Sequence, residues 1–354
     1  MDIRITKAET LKDKVDDAHL GFGQYYTDHM FIMPYDEGQG WHDAQIVPYA
    51  PFTLDPAAMV FHYAQECFEG MKAYRTPKGG VQLFRPERNA RRMNSTHRRL
   101  CIPEIPEEDF VDAVKQLVAL ERSWVPHSPD TSLYIRPTTI ATEPHLGVKP
   151  SNSYLFFIIC SPVGPYYAEG LDPIKIYVED ELTRAAPGGT GFTKAGGNYA
   201  VSLAGQVKAQ QLGYSQVLWL DAVHRKYVEE VGSMNCFFKV DGTIYTAPAG
   251  GTVLPGITRA SCMELLADWG YPVKEEALAI DSLMAAADDG RLEEVFGTGT
   301  AAVISPVGEL RYKDKSVIIH KGEIGEVTAR LYATLTGIQW GTLPDEKGWI
   351  VPVD

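Results

Sequence analysis

Gly188-Gly189-Thr190-Gly191-Phe192-Thr193-Lys194-Ala195-Gly196-Gly197-Asn198-Tyr199 sets a single lysine among five glycines. A strand-like run, Ile174–Val178, precedes it, and a helical pattern from about Tyr199 to Leu212 follows. Glycine lets backbone come close to a ligand and leaves no bulky neighbour to shield the amine. A phosphate-binding P-loop needs Gly directly before its Lys and Ser or Thr directly after it. Thr193 and Ala195 stand there instead, so that reading fails. Two readings stay open: a Schiff-base lysine, whose desolvated amine attacks an aldehyde, or a solvated lysine on a surface loop.

Two further segments are suited to holding an anion. Leu254-Pro255-Gly256-Ile257-Thr258-Arg259 leads into a helix expected from Gly256 to Trp269, whose first turn offers N–H groups beside the Thr258 hydroxyl. Gly297-Thr298-Gly299-Thr300-Ala301 follows the strand-like Glu293–Phe296 and forms a second candidate nest of N–H donors. Either segment alone also reads as an ordinary turn. Beside the lysine loop, they favour a phosphorylated aldehyde cofactor. Glu230, in Glu230-Val231-Gly232-Ser233-Met234-Asn235, puts an acid into an otherwise apolar strand. If buried it needs a partner, and a protonated pyridine nitrogen is one. Strand alternation sends one of Glu229 and Glu230 outward, to water.

Working outward, short apolar runs alternate with amphipathic stretches, the pattern of mixed α and β structure. Strands are expected at Phe31–Pro34, Val81–Phe84, Leu133–Pro137, Tyr154–Ile159 and Gln216–Asp221, and helices at Glu87–Leu100, Glu107–Trp124 and Gly325–Thr336. Val228–Val240 and Ile244–Thr246 read as a hairpin closed by Asp241-Gly242. Turn formers crowd residues 161–170, where the interdomain linker is placed. The expected division is 1–160, a linker at 161–173, and 174–354.

The 354 residues suit about two domains at roughly 100–200 residues each. A net charge of −13 argues against a sequence-independent grip on nucleic acid. Arg85, Arg88, Arg91, Arg92, Arg98 and Arg99 are read as internally paired, with one facing a ligand. Five scattered cysteines without a C-x-x-C suggest neither a disulfide framework nor zinc, and no histidines pair at metal-ligand spacing. The N-terminus lacks signal and transit character, and the run Tyr154–Cys160 is too short to span a bilayer. A cytoplasmic protein with no membrane partner and no metal is expected.

Eight blocks, in order, carry a resemblance: FGQYYTDHM from Phe22, CFEGMKAYR from Cys67, LFRPERNARRM from Leu83, LYIRPTTIATEPHLGV from Leu133, GGTGFTKAGGNY from Gly188, EVGSMN from Glu230, LPGITR from Leu254 and FGTGTAA from Phe296. With them the chain resembles the branched-chain amino acid aminotransferases of the fold-type IV pyridoxal-phosphate enzymes. The resemblance implies an α+β fold like that of the D-amino acid aminotransferases, with a smaller N-terminal α/β domain. The larger C-terminal domain would hold pyridoxal 5′-phosphate on a mixed, largely antiparallel sheet.

It further implies that Lys194 is the catalytic Schiff-base lysine, that Tyr199 bonds the ring hydroxyl and that Glu230 holds the pyridine nitrogen. Arg92, Ile257, Thr258 and Thr300 would meet the phosphate, with Ser233, Leu254 and Gly256 completing the cofactor site. Phe22, Tyr63, Phe68, Tyr134, Tyr166, Thr300 and Ala301 would line the substrate pocket, and Arg136 would read a second carboxylate. Leu146 and Val148 would reach in from the other subunit of a homodimer. The implied reaction is ping-pong transamination of L-leucine, L-isoleucine and L-valine with 2-oxoglutarate, giving branched 2-oxo acids and L-glutamate, in amino-acid biosynthesis. Ala302 and Ser305 replace the redox C-x-x-C of mammalian relatives, and Ser233 stands where many have Thr. The alternatives are a D-amino acid aminotransferase, an aminodeoxychorismate lyase, or, outside the class, a kinase or non-catalytic phosphate-metabolite binder.

Overall fold

The structure is a computed structural model that describes residues 1–164 and 171–353. It begins with strands β1 (Arg4–Ile5), β2 (His29–Asp36), β3 (Gly40–Trp41) and β4 (Gln45–Pro48). Helix α1 (Met59–Tyr63) leads to β5 (Glu66–Phe68), β6 (Met71–Arg75) and β7 (Val81–Phe84). Helices α2 (Pro86–Leu100) and α3 (Glu107–Leu120) precede β8 (Ser132–Ala141) and β9 (Ser153–Val163). Next come β10 (Ile174–Glu179), α4 (Gly196–Ala200), α5 (Leu203–Gln211) and β11 (Gln216–Leu220). They are followed by β12 (Val228–Val231), β13 (Met234–Val240), β14 (Thr243–Thr246), α6 (Ile257–Asp268), β15 (Val273–Glu275) and α7 (Ile280–Asp288). The last are β16 (Leu292–Gly299), β17 (Val303–Tyr312), β18 (Lys315–Ile318), α8 (Glu326–Gln339) and β19 (Ile350–Val353).

These elements gather into two compact units. The first holds the N-terminal half, Thr193–Gly196 and the C-terminal stretch from Gly337; the second holds the rest up to Thr336. Lys194 and the C-terminal tail, expected in the second domain, therefore pack with the first unit. Hydrogen bonding explains why: Ala195 bridges to Cys67, and β19 pairs antiparallel with β7.

In the first unit the strand order is β1-β4-β2-β9-β8-β6-β7-β19, with β3 added to β2 and β5 to β8. Period-two alternation along β8 sends Leu133 and Ile135 into a core with Phe31, Phe156, Phe110 and Leu117. Tyr134 and Arg136 occupy the intervening positions. The α3 stripe Phe110, Val114, Leu117 and Val118 is fully buried, as its spacing predicts. That helix stops short of Trp124 because Glu121 leaves helical geometry (φ −90°, ψ 16°). Its carboxylate instead takes the Asp28 N–H at 3.2 Å and bonds the His29 ring. The expected linker also starts later, since Ser161, Pro162 and Val163 pair with Tyr134, Leu133 and Ser132.

The second unit runs β12-β11-β10-β17-β16-β13-β14-β15, with β18 on β17. Because β12 also pairs with β13, six of these strands close into a ring, its core built of Ile176, Val178, Leu218, Val231, Phe238 and Leu310. Asp241-Gly242 joins β13 to β14 with φ values of 48° and 73°, the left-handed pair a two-residue hairpin turn requires. The preceding run folds back once more at Gly232-Ser233, making two strands of the one expected. Where a single helix was expected from Tyr199, α4 and α5 are separate, and the Ser202 hydroxyl donates back to the Tyr199 carbonyl at 2.7 Å. The architecture is α+β, with mixed and largely antiparallel sheets.

All five cysteines are free thiols, and only Cys101 is exposed. No helix among the described residues is long and apolar enough to cross a membrane. Nor do the described residues hold a group of three or more His, Cys, Asp or Glu arranged for a metal.

Candidate active site

Lys194 lies in an extended segment whose backbone is fixed from two sides. Its N–H donates to Thr96 Oγ1 of α2 at 3.0 Å, and its carbonyl accepts the Phe68 N–H of β5 at 3.1 Å. The ammonium stands 4.6 Å from the centroid of the Phe68 ring. Burial, with Arg92 beside it, lowers the amine from 10.5 to about 8, while Glu69 pulls the other way. The lowered value leaves a minor fraction of the Lys194 amine neutral near pH 7, far more than an ordinary lysine has.

Glu69, at the bend between β5 and β6, is fully buried. Arg92 Nε and Nη2 donate to its two oxygens at 2.7 and 2.8 Å, Asn89 donates at 2.8 Å and the Gly70 N–H at 3.2 Å. Burial acts to raise this carboxyl, but the fork of Arg92 and the other donors hold it below its ordinary value. Arg92, expected to meet a phosphate, is therefore already engaged in a buried ion pair. Its neighbours also pair internally: Arg91 with Glu107 and Arg98 with Glu104.

The substrate-pocket candidates divide into two groups. Phe22 packs edge-on against Tyr134 at 5.0 Å, and Arg136 Nη2 donates to the Tyr134 hydroxyl at 3.0 Å. The Arg136 guanidinium carbon is 4.4 Å from the Phe68 centroid, so Phe22, Phe68, Tyr134, Arg136 and Lys194 form one connected aromatic and cationic cluster. Tyr63 instead donates its hydroxyl to the Leu146 carbonyl, and Leu146 and Val148 are 62% and 82% exposed. Tyr166 lies outside the described residues.

In the second unit Glu230 is buried on β12, with Arg184 Nη2 2.8 Å from one oxygen and the Leu254 N–H 2.7 Å from the other. Glu229, expected to face water if Glu230 turned inward, is also buried and accepts the Thr252 hydroxyl, because the Thr252–Leu254 loop covers both acids. Asn235, opposite Glu230 in the ladder, donates to the Leu254 carbonyl at 2.9 Å. A Cβ on Gly256 would fall 2.0 Å from Asn235 Oδ1, so only glycine fits there. Gly256 is the N-cap of α6 and provides no side-chain cap, and Ile257 and Thr258 form the helix's first turn.

Ser233 is exposed on the β12–β13 turn, and Tyr199 sits on α4. Thr300 and Ala301 occupy the β16–β17 turn. Of the expected nest at Gly297–Ala301, Gly297, Thr298 and Gly299 are ladder, paired with Ser305, Ile304 and Val303 of β17, and Thr300 and Ala301 form the turn. The buried Thr298 hydroxyl has no hydrogen-bond partner among the described residues.

Sequence reading missed Glu69, Arg184 and Asn235. Glu69 and Asn235 lie inside the quoted blocks CFEGMKAYR and EVGSMN, where an acid or amide between apolar residues was a usable signal. Arg184 had none.

The comparisons with known proteins give the class to which this α+β scaffold belongs. The profile of the class IV amino-transferase family matches residues 66–310. Branched-chain-amino-acid transaminase 1 of Bacillus subtilis (strain 168) is 56% identical over 97% of this chain and 96% of its own. The branched-chain-amino-acid aminotransferase of Mycolicibacterium smegmatis is 49% identical over 94% of this chain and 92% of its own. Among solved structures, the Escherichia coli branched-chain amino acid aminotransferase has a TM-score of 0.78 at 28% identity, covering 92% of this chain and 99% of that one. The T.th. branched-chain amino acid aminotransferase with pyridoxamine 5′-phosphate has a TM-score of 0.77 at 29% identity, covering 92% and 98%. The chain belongs to the class IV aminotransferases and, within them, to the branched-chain amino acid aminotransferases, a pyridoxal-phosphate-dependent family.

Proposed function

We propose that this enzyme transfers the amino group of L-leucine, L-isoleucine or L-valine to 2-oxoglutarate, giving branched 2-oxo acids and L-glutamate in a ping-pong cycle. The observation that carries the reading is the Lys194 segment, clamped between α2 and β5 with its amine over the Phe68 ring.

The residues present suit pyridoxal 5′-phosphate: a partly deprotonated lysine for its aldehyde, a buried carboxylate for its ring nitrogen and free helix N–H groups for its phosphate. The orphaned Thr298 hydroxyl, two residues from Thr300, is a further donor for such a group. When bound, the cofactor carries the amino group between half-reactions and spreads the charge left when Cα loses its proton. Lys194 would hold the cofactor through its amine, and the same amine would serve as general base for the Cα proton of the substrate. Glu230 would accept the ring N–H of the cofactor, and Arg184 supplies the countercharge that a buried carboxylate needs. Tyr199 steadies the ring hydroxyl. Ile257, Thr258 and Thr300 would meet the phosphate, with Ser233, Leu254 and Gly256 in the loops around it, and Arg92 would add its charge while remaining paired with Glu69.

Phe22, Phe68 and Tyr134 present apolar surface to a branched side chain, while Tyr63, bonded to the Leu146 carbonyl, stands apart from that cluster. Arg136 reads the second carboxylate of glutamate; its Nε is buried with no hydrogen-bond partner among the described residues. Leu146 and Val148, largely exposed in one chain, are assigned to the pocket of the partner in a homodimer. Cytoplasmic location and a biosynthetic role complete the proposal.

Lys194→Ala tests it. Purified with added cofactor, the variant is expected to lack multiple turnover and any borohydride-trappable adduct, whereas wild-type enzyme shows both. Undiminished turnover in the variant overturns the assignment.

A further inference from the structure

Thr96, in the second half of α2, is only 1% exposed. Its hydroxyl has one proton, which it donates at 3.3 Å to the carbonyl of Arg92, one turn earlier in the same helix. The lone pairs of the oxygen are left to accept, and the Lys194 N–H donates to it at 3.0 Å. A single oxygen thereby joins the backbone of Lys194 to the backbone of Arg92, whose side chain holds Glu69 by two bonds. On the other side of the segment the Lys194 carbonyl accepts the Phe68 N–H at 3.1 Å. Of the two groups that clamp the lysine backbone, one is main chain and the other is the Thr96 side chain, which a substitution can remove.

We infer that Thr96 is a positioning residue for Lys194: its hydroxyl registers the lysine segment on α2, one turn from Arg92, and so fixes where the amine stands against the Arg92–Glu69 pair and the Phe68 ring. The inference rests on Lys194 being the cofactor-bearing lysine. Threonine suits the task because β-branching leaves few side-chain rotamers in a helix, and the bond back to Arg92 selects among them. The oxygen is therefore in place before Lys194 meets it. Valine has nearly the same shape, so it keeps the packing but removes the oxygen that takes the Lys194 N–H. Serine keeps the oxygen and can make both bonds. The charged and titratable groups acting on the amine are Arg92 of α2, Glu69 at the β5–β6 bend, and Tyr134 and Arg136 of β8.

The test compares Thr96→Val and Thr96→Ser with wild type, each as the holoenzyme. A reacting group misplaced by about 1 Å costs on the order of 100-fold. Thr96→Val is therefore expected to lower kcat by about tenfold to 100-fold while leaving KM for L-leucine within about threefold. It is also expected to shift the pH midpoint of the bound-cofactor absorption band, because the lysine nitrogen moves relative to Arg92 and Glu69. Thr96→Ser stays near wild type in both rate and midpoint. Equal impairment of the two variants, a loss confined to KM, or an unshifted band in Thr96→Val each overturn the inference. If Thr96→Val does not fold, Thr96→Ala takes its place in every comparison, with the same expected and overturning results. Retention of the borohydride-trappable adduct by Lys194→Ala instead overturns the parent reading, which separates the two failures.

Discussion

Burial and the like charge of Arg92 bring the Lys194 amine to about 8, while the countercharge of Glu69 opposes them. In the cofactor-free enzyme the cost of keeping this lysine charged is fully present below about pH 8. It is relieved as pH rises toward the unfolded value of 10.5. Glu69→Gln removes the opposing charge and half of the fork that satisfies Arg92. The variant is predicted to move the pH midpoint for acylation of the Lys194 amine further below that of wild type. It is also predicted to lose about 3–5 kcal/mol of unfolding free energy, since a buried cation is left uncompensated. Unchanged values of both would show that Glu69 is not the counter-ion. At this scale Lys194 was legible because five glycines isolate it, and Glu230 because it interrupts an apolar run. Glu69 was not, because a buried acid is recognised by its partner, and Arg92 lies 23 residues further on.

Elements are held at their ends as much as along their faces. Glu294 on β16 caps α8 by taking the Val327 N–H at 3.1 Å, and the Thr328 N–H and hydroxyl at 2.9 and 2.8 Å. Those first-turn donors have no partner inside the helix, and a carboxylate there also meets the positive end of its dipole. Glu294→Ala is predicted to lower stability by about 1–2 kcal/mol in denaturant unfolding while leaving KM for L-leucine unchanged. A neutral effect on unfolding would mean that water replaces the cap at no cost. Long elements were legible: α3 shows its apolar stripe, and the Asp241-Gly242 turn announces its hairpin. Strands β1, β3, β5 and β15 were not, because two or three residues hold too little alternation to register. Yet β5 is the strand that carries Phe68 and Glu66 to the lysine segment. Its existence depends on its pairing with β8, which adjacent sequence does not encode.

Across the whole molecule the net charge is −13, although the proposed cofactor and substrates are anions. Attraction must then come from local groups, and the structure supplies them as buried or half-buried cations: Arg92, Arg136, Arg184 and Lys194. Three of them, with Glu69 as counter-ion to Arg92, lie in the first unit, and Arg184 pairs with Glu230 in the second. Each unit has its own sheet and core, and this two-part plan was legible from the turn-rich stretch after Cys160. The return of residues 193–196 and of the C-terminal tail to the first unit was not, since both depend on long-range strand pairing. An aromatic and aliphatic pocket separates donors that differ by one methylene by only about 1–3 kcal/mol, whereas it must orient the Cα–H bond of one hand. The most direct measurement is the initial rate of L-glutamate formation from 2-oxoglutarate by the purified holoenzyme, with L-leucine, L-isoleucine, L-valine or D-alanine as donor. The account predicts turnover with all three branched L-donors, within about 200-fold of one another, and negligible turnover with D-alanine. Faster turnover of D-alanine than of the branched L-donors would contradict it.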